Sequence, residues 1–530
     1  AIQTFRDKPP VFSGWCLTGL QRKSGQYRLK SRIDHRQTLS YSISTMNNDI
    51  PHFGDMPTEE FRQHGYALID WIAKYRQNLD NINVLPNVAP GSIAAQLPSA
   101  APEEAEAMPA LLHDFEHLIM PNLTQWHHPN FFAYFANSSS LPAVLAELLT
   151  AAVNNNSMVW KSGQAATELE RVVLNWLATA LGLPSTLWGM IFDTASVSTM
   201  QAIACAREVA GVQARNEGLA GRNLPRLRVY ASEFVHSSID KACITLGLGA
   251  ANLVKIPAND RFAMIPEALE KAIAEDRKAG FLPICVVGVV GTTSVASSDP
   301  IEAIAEICER EKLWLHVDAA YAGPVAMLPE WRGRFLGWER ADSIVINPHK
   351  WLFVPMDLSI LYTRKPDVLK QAFSLTPEYL KTSEDALVEN MMDYGIQLGR
   401  RFRSLKLWFV MRYFGVAGIQ ARLREHIALA RLFGDLVEAH PDFELTAPVE
   451  FSLVCFRFNP QKEHSKADEA TLERMNTVLE ERLNATGDIF LVHTKVHGIY
   501  TLRFAVGNME TTEQHVRRAF QKITEEAVNL

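Results

Sequence analysis

Lys350 lies between two short apolar runs, Ser343-Ile344-Val345-Ile346 before it and Trp351-Leu352-Phe353-Val354 after it. An ammonium flanked by hydrocarbon loses part of its solvation, its pKa falls, and the amine becomes a nucleophile toward an aldehyde. A buried lysine neutralised by an acid, or one snorkelling to the surface, leaves the same pattern. Upstream, Leu313-Trp314-Leu315-His316-Val317 runs into Asp318 and then into small residues. This is the pattern of a buried parallel strand that presents a carboxylate at its C-terminal edge, where open α/β sheets bind ligands. Alone, Asp318 reads equally well as a helix cap or half of a structural ion pair. Together the two residues supply what pyridoxal phosphate chemistry needs: an amine to hold the aldehyde as a Schiff base, and an acid to keep the pyridine nitrogen protonated so that the ring accepts electrons.

The elements that must position this pair follow from hydrophobic periodicity. Strand-like and helical runs alternate: Leu227 to Ala231, Ile239 to Leu246, Leu253 to Ile256, Pro266 to Lys278, Ile284 to Val290, Pro300 to Glu311 and Leu313 to Val317. The succession predicts βα units and a largely parallel sheet. Pro266 and Pro300 fall where a first helical turn begins, with Asp299 as a cap. Earlier, Thr194-Ala195-Ser196-Val197-Ser198-Thr199 precedes an alanine-rich run from Met200 to Val209. Small hydroxyl residues at a helix N-terminus suit a phosphate, through free N–H groups and the positive end of the dipole, although an ordinary N-cap looks much the same.

Outside this region, Met56 to Ala73 and Pro102 to Leu118 carry helical signals, and Asn81 to Ala101 reads as a connector. From Ile419 a long helix leads into strands at Glu450 to Phe458, Ile489 to Val492 and Gly498 to Val506, then a terminal helix. Residues 1–45 are rich in Arg, Lys and Ser and poor in acids, a leader or extension rather than part of the fold. The domain plan is therefore 1–45, a helical segment 46–125, a large domain 126–418 and a small domain 419–530. With 530 residues and a formal net charge of −7, the chain suits two or three domains and gives no electrostatic reason to expect nucleic acid or an anionic membrane. No apolar run is long enough to span a bilayer. Cys16, Cys205, Cys243, Cys285, Cys308 and Cys455 show no metal-ligand spacing and predict buried thiols in a reducing cytoplasm. His127 and His128 resemble a metal pair only superficially, since adjacent side chains diverge, and no metal is expected.

His316-Val317-Asp318-Ala319-Ala320-Tyr321-Ala322-Gly323, followed about thirty residues later by Asn347-Pro348-His349-Lys350-Trp351, resembles the group II pyridoxal phosphate decarboxylases, the aromatic L-amino-acid decarboxylases above all. The resemblance runs from Met46 to the C-terminus. It implies fold type I, the aspartate aminotransferase-like α/β fold, with an N-terminal helical arm, a small C-terminal α+β domain and a homodimer whose active sites lie at the subunit interface. It also implies roles for individual residues. Lys350, Asp318, His236 and Tyr379 are the expected catalytic set, with Tyr379 on a mobile loop between Lys365 and Tyr394. Cofactor contacts are expected from Ala195, Ser196, His236, Thr293, Asp318, Ser343, Asn347, His349 and Lys350. The aromatic window from Trp126 to Phe135 would otherwise read as core; the resemblance makes Trp126, Tyr134 and Phe135 the pocket for the substrate ring, with Asn137 as a polar contact and His236 orienting the carboxylate.

Two stretches depart from the family. Asn154-Asn155-Asn156-Ser157-Met158 is unusually polar for a subunit-boundary pocket, and Gly189-Met190-Ile191-Phe192-Asp193 stands where a glycine-rich run is usual. Arg503 reads as structural. The expected reaction is pyridoxal phosphate-dependent decarboxylation of an aromatic L-amino acid to its amine. The alternatives are an aldehyde synthase, against which the presence of Tyr379 and His236 speaks; a decarboxylase of acidic amino acids or histidine, against which the aromatic window speaks, because a side-chain carboxylate needs a paired cation; and a non-catalytic scaffold, against which Lys350 and Asp318 speak.

Overall fold

The computed structural model describes residues 54–380, 383–385, 387–460 and 467–530. Its centre is a seven-stranded sheet made of β1 (Trp188–Phe192), β2 (Leu227–Ser232), β3 (Leu253–Ile256), β4 (Leu282–Val289), β5 (Trp314–Asp318), β6 (Ser343–Ile346) and β7 (Ser359–Thr363), in the order β1-β7-β6-β5-β4-β2-β3. All neighbours are parallel except that β7 runs antiparallel to both β1 and β6. Successive side chains of a strand point to opposite faces, and here both faces are covered. On β5, Leu315 and Val317 enter one apolar cluster and Trp314 the other; on β2, Tyr230 enters the first while Val229 and Ala231 enter the second. Burial on both faces explains why β4 and β5 read as nearly unbroken apolar runs.

Register decides which residues share the C-terminal edge. Asp318 pairs with Val289 on one side and Val345 on the other, so the last residues of β4, β5 and β6 emerge together. Ile191 and Ile346 both oppose Ile360 of β7, which brings the end of β1 to the same edge. There the chain turns through Asp193 and Thr194 into the helix Ala195–Val209. In place of a glycine-rich run, the Asp193 carboxylate accepts the Thr194 N–H at 2.6 Å and the Gln397 side-chain amide at 2.9 Å. Glycine is required at Gly189, where an added Cβ would lie 2.6 Å from the Tyr362 ring.

The C-terminal unit is an antiparallel sheet of β8 (Phe443–Leu445), β9 (Leu453–Phe458), β10 (Val492–Val496) and β11 (Ile499–Ala505), ordered β10-β11-β9-β8. Its core includes Phe433, Phe456, Phe504 and also Phe132, whose ring stacks on Phe504 at 3.8 Å. The aromatic window therefore contributes to the core as well as to a pocket wall. A long helix, Ser404–Ala439, joins the two units and is broken at Gly415 (φ 64°, ψ 170°), a left-handed conformation that glycine adopts without a Cβ clash.

The structure shifts several of the elements read from the sequence: the long helix begins at Ser404 rather than Ile419, and the strand expected from Glu450 begins at Leu453. The second N-terminal helix is shorter, Met108–Asp114, and continues as a π turn over Phe115–Ile119. The strand placed at Ile489 to Val492 runs instead from Val492 to Val496. Asp299 caps nothing: Pro300 occupies the cap position, and the buried Asp299 carboxylate accepts the N–H groups of Met264 and Val289, both at 2.8 Å. Burial pushes its pKa up to about 6, against those two hydrogen bonds. The leader 1–45 lies outside the described residues, and among these no helix is long and apolar enough to cross a membrane.

Two core histidines make the fold acid-sensitive. His316 bridges Thr199 and Ser343, and the Nδ1 of His426 accepts the Trp351 indole N–H at 3.0 Å. Burial pushes their pKa values down from 6.5 to about 4 and about 3. A histidine depressed in the folded state protonates first in the unfolded chain, so its contribution is present above about pH 6.5 and is lost as pH falls through the folded value. The urea midpoint should therefore decrease steadily between pH 7 and pH 4; a midpoint constant over that range would contradict this origin.

Candidate active site

At the shared strand edge lies a cavity of about 210 Å³. Its wall is built from the helix start (Thr194, Ala195, Ser196), the β2–helix turn (His236, Ser238), the ends of β4 and β5 (Val289, Gly291, Thr293, Asp318, Ala320, Tyr321) and the segment after β6 (Asn347, His349, Lys350, Met356). A larger groove of about 510 Å³ occupies the opposite, N-terminal edge of the sheet. Its arginines are already ion-paired, Arg277 with Glu311 and Arg310 with Glu270, and its lining includes none of the site residues expected from the sequence.

Lys350 sits in a one-turn helix, Pro348–Trp351, opened by Asn347 and by a proline at its first position, where a missing N–H costs nothing. Desolvation holds its amine below the usual lysine range, opposed only by the attraction of the Asp318 carboxylate. The residue keeps some surface, but that surface borders the cavity and protein encloses the rest. Asp318, 7% exposed, is held at the end of β5 and accepts the Ala320 N–H at 3.0 Å. The Lys350 ammonium lies 5.7 Å from the Phe135 ring. Behind it the rings of Phe135, Tyr321 and Trp351 stack successively at 3.4 and 4.8 Å, and Trp351 leads to His426. This column fixes the residue that follows Lys350. His349 is buried and its Nδ1 accepts the Leu358 N–H at 3.0 Å. Burial and the neighbouring Lys350 push it down to about 4. His236 faces the cavity, and burial lowers its pKa against the pull of Asp318.

Three features are those of a site built for an anionic, aromatic aldehyde. The Asn347 side-chain oxygen is buried without a partner. The first N–H groups of the helix Ala195–Val209 precede any intrahelical acceptor and present the positive end of its dipole. Gly291, at φ +86°, approaches so closely that a Cβ would lie 2.6 Å from that of Ala322. Pyridoxal 5'-phosphate fits this donor set, with Lys350 for its aldehyde, Asp318 for its ring nitrogen and Ala195, Ser196 and Asn347 among its polar contacts.

The cavity thus gathers Ala195, Ser196, His236, Thr293, Asp318, Asn347, His349 and Lys350, as expected from the sequence. Ser343 does not reach it. It begins β6 three residues before the edge, and its hydroxyl is taken by the Trp314 indole at 2.8 Å and by His316 at 2.9 Å. Of the expected ring pocket, Phe135 comes closest to the amine. Asn137 reaches the wall indirectly, its amide 3.9 Å from the Met356 sulfur. Trp126 and Tyr134 stack on one another at 5.8 Å in a satellite cluster with Phe131 and Phe490, outside the cavity lining. Tyr379 belongs to the turn Glu378–Leu380, and its side chain lies outside the described residues. His127 contacts Ser139 at 3.1 Å and His128 accepts the Asn130 N–H at 3.0 Å, both structural arrangements.

Sequence reasoning missed Ser238, Gly291, Met356 and the supporting role of Arg503. The buried guanidinium of Arg503 donates to the carbonyls of Ala133, Thr293 and Ser294 at 2.9, 2.9 and 3.2 Å and lies 5.5 Å from the Phe135 ring. It ties β11 of the small unit to two walls of the site. Gly291 alone had a readable signal, a glycine directly after a buried strand.

Residues 90–459 match the family model described as the pyridoxal-dependent decarboxylase conserved domain. The chain is 40% identical over 475 residues to tryptophan decarboxylase TDC2 of Camptotheca acuminata, covering 88% of this chain and 95% of that one. The crystal structure of Oryza sativa TDC with PLP and tryptamine superposes with a TM-score of 0.87 at 37% identity, over 90% of this chain and 99% of that one. Rhodiola rosea 4-hydroxyphenylacetaldehyde synthase superposes with a TM-score of 0.83 at 32% identity, over 90% and 99%. The desolvated lysine, its facing aspartate and these likenesses agree: the chain belongs to the pyridoxal-dependent decarboxylases, has the type I fold and uses pyridoxal 5'-phosphate.

Proposed function

We propose that this enzyme converts an aromatic L-amino acid to its amine and carbon dioxide, working as a cytoplasmic homodimer. The observation that carries the reading is the Lys350 amine, desolvated, sharing one cavity with Asp318, with the Phe135 ring 5.7 Å away. Bound there, pyridoxal 5'-phosphate supplies an electron sink for the electrons of the breaking Cα–carboxylate bond. Lys350 would hold the group through its desolvated amine. The Asp318 carboxylate holds a proton on the facing ring nitrogen. His236, on the cavity wall, would lie against the bound ring and orient the substrate carboxylate for cleavage. The Tyr379 hydroxyl delivers the proton to Cα, a step of general acid catalysis typically worth roughly a hundred- to ten-thousand-fold in rate. Ala195, Ser196, Thr293, Asn347 and His349 hold the cofactor; Phe135 is the ring wall nearest the amine, and Trp126, Tyr134 and Asn137 extend the substrate side-chain pocket beyond the cavity lining of this chain.

An aromatic side chain is favoured over an acidic one by charge. Among the described residues that line the cavity, Lys350 is the sole Lys or Arg, and it is already committed. A second carboxylate brought in by the substrate would lack a paired cation. The amine is favoured over the aldehyde by the presence of His236 and Tyr379. The dimer is supported by the helix Thr58–Gln77, which buries none of its residues and exposes Phe61 and Tyr66 at 61% and 67%, and by Leu145, Leu148 and Val153 on the helix Leu141–Val153, exposed at 49%, 51% and 60%. Such apolar faces mark protein contacts. The described cysteines are free and buried, which suits a reducing cytoplasm.

With pyridoxal 5'-phosphate and air, a panel of aromatic and acidic amino acids should give amine from the aromatic members without stoichiometric peroxide, while Tyr379→Phe should shift product toward aldehyde and peroxide. Turnover of acidic substrates alone would overturn the ring pocket, and unchanged amine formation by Tyr379→Phe would remove the proposed proton donor. Sedimentation equilibrium should return twice the chain mass of 59.4 kDa; a fully active monomer would refute the dimer.

A further inference from the structure

We propose that Ser238 is a positioning residue that fixes the His236 imidazole in a single tautomer, with Nδ1 unprotonated and the proton on Nε2. Two donors of Ser238 converge on Nδ1: its backbone N–H at 3.1 Å and its hydroxyl at 2.9 Å. A backbone N–H only donates, so the Nδ1 it meets holds a lone pair. A neutral imidazole with a lone pair on Nδ1 carries its proton on Nε2. Among the described residues Nε2 has no protein partner, and His236 lines the cavity, so this N–H is left for the substrate.

The local fold makes this arrangement cheap. Ser238 is the first residue of the helix Ser238–Thr245, and its N–H therefore has no carbonyl within the helix to receive it. The donor left over by the start of the helix is spent on the imidazole. The hydroxyl adds a second contact to the same nitrogen, which an alanine in this position would not make.

This inference rests on the proposed function and deepens it. Charging the ring would place an Nδ1–H against the Ser238 N–H, so the imidazolium forms only by breaking the backbone contact and turning the hydroxyl from donor to acceptor. The charges around the ring divide: Asp318 and Asp240 favour the cation, whereas Lys350 and Lys241 oppose it. Held neutral, His236 donates one hydrogen bond from Nε2 to the substrate carboxylate and accepts no proton there. The proton delivered to Cα then has to come from another group, the place assigned to Tyr379.

The test is long-range proton–nitrogen correlation on holoenzyme labelled with ¹⁵N-histidine, the His236 signals being identified by their loss in His236→Asn. Wild type should show Nδ1 as the unprotonated and Nε2 as the protonated nitrogen, unchanged from pH 6 to 8. In Ser238→Ala, which keeps the backbone donor and loses the hydroxyl, the Nδ1 signal should shift part of the way toward an averaged value and KM for the aromatic substrate should rise several-fold, both restored in Ser238→Thr. A protonated Nδ1 in wild type, an imidazolium at neutral pH, or a Ser238→Ala enzyme with altered kinetics but unmoved His236 signals would overturn the proposal. The wild-type spectrum decides the tautomer even if Ser238→Ala fails to fold. It also stands apart from the substrate panel: absence of aromatic turnover with the expected spectrum would remove the carboxylate partner but not the tautomer.

Discussion

An amine can be kept reactive inside a protein only if it is dehydrated enough to lose affinity for its proton yet close enough to a carboxylate to be tolerated there. Everything around Lys350 serves that compromise. Desolvation lowers its pKa and Asp318 opposes the shift. Isolated burial of a charge is costly, and removing one member of such a pair leaves the other uncompensated. The parallel sheet solves the placement problem: Asp318 is paired with Val289 and Val345, and Lys350 follows β6 by a single short turn, so both groups leave the sheet on one edge.

The rest of the molecule stiffens that edge. The stacked rings of Phe135, Tyr321 and Trp351 form a wall behind the amine, and the Tyr321 hydroxyl contacts Ser452 at 2.5 Å, which reaches into the small unit. Arg503 crosses the same boundary and binds three carbonyls, two on the segment after β4 and one in the aromatic window. The small unit thus acts as a brace for two walls of the cavity. Its own core, by contrast, is a conventional aromatic cluster around Phe433 and Phe504.

How much of this the sequence discloses depends on how local the cause is. Lys350 and Asp318 are readable because their apolar flanks lie beside them in the chain, and the βα succession because each helix and strand carries its own period. The family resemblance supplies His236 and Thr293, whose local context alone is neutral. The resemblance puts Ser343 among the cofactor contacts, yet three residues along β6 place it near the opposite edge, a matter of strand direction that no local motif reports. Asp299 looks like a helix cap in sequence, yet its carboxylate is claimed by the more distant Met264 N–H. Arg503 reads as structural in sequence, but its partners cannot be read there, since the carbonyls it serves lie 209, 210 and 370 positions away.

The identity of the reactive amine is the claim on which the account stands. Borohydride reduction of the holoenzyme, followed by proteolysis and mass spectrometry of the peptides, locates the lysine joined to the cofactor. The account predicts a stoichiometric phosphopyridoxyl modification on Lys350 and none on Lys406, the other lysine with a lowered pKa among the described residues, which is held instead by Glu147 and by the carbonyls of Pro355 and Asp357. Label on any lysine other than Lys350 would contradict it.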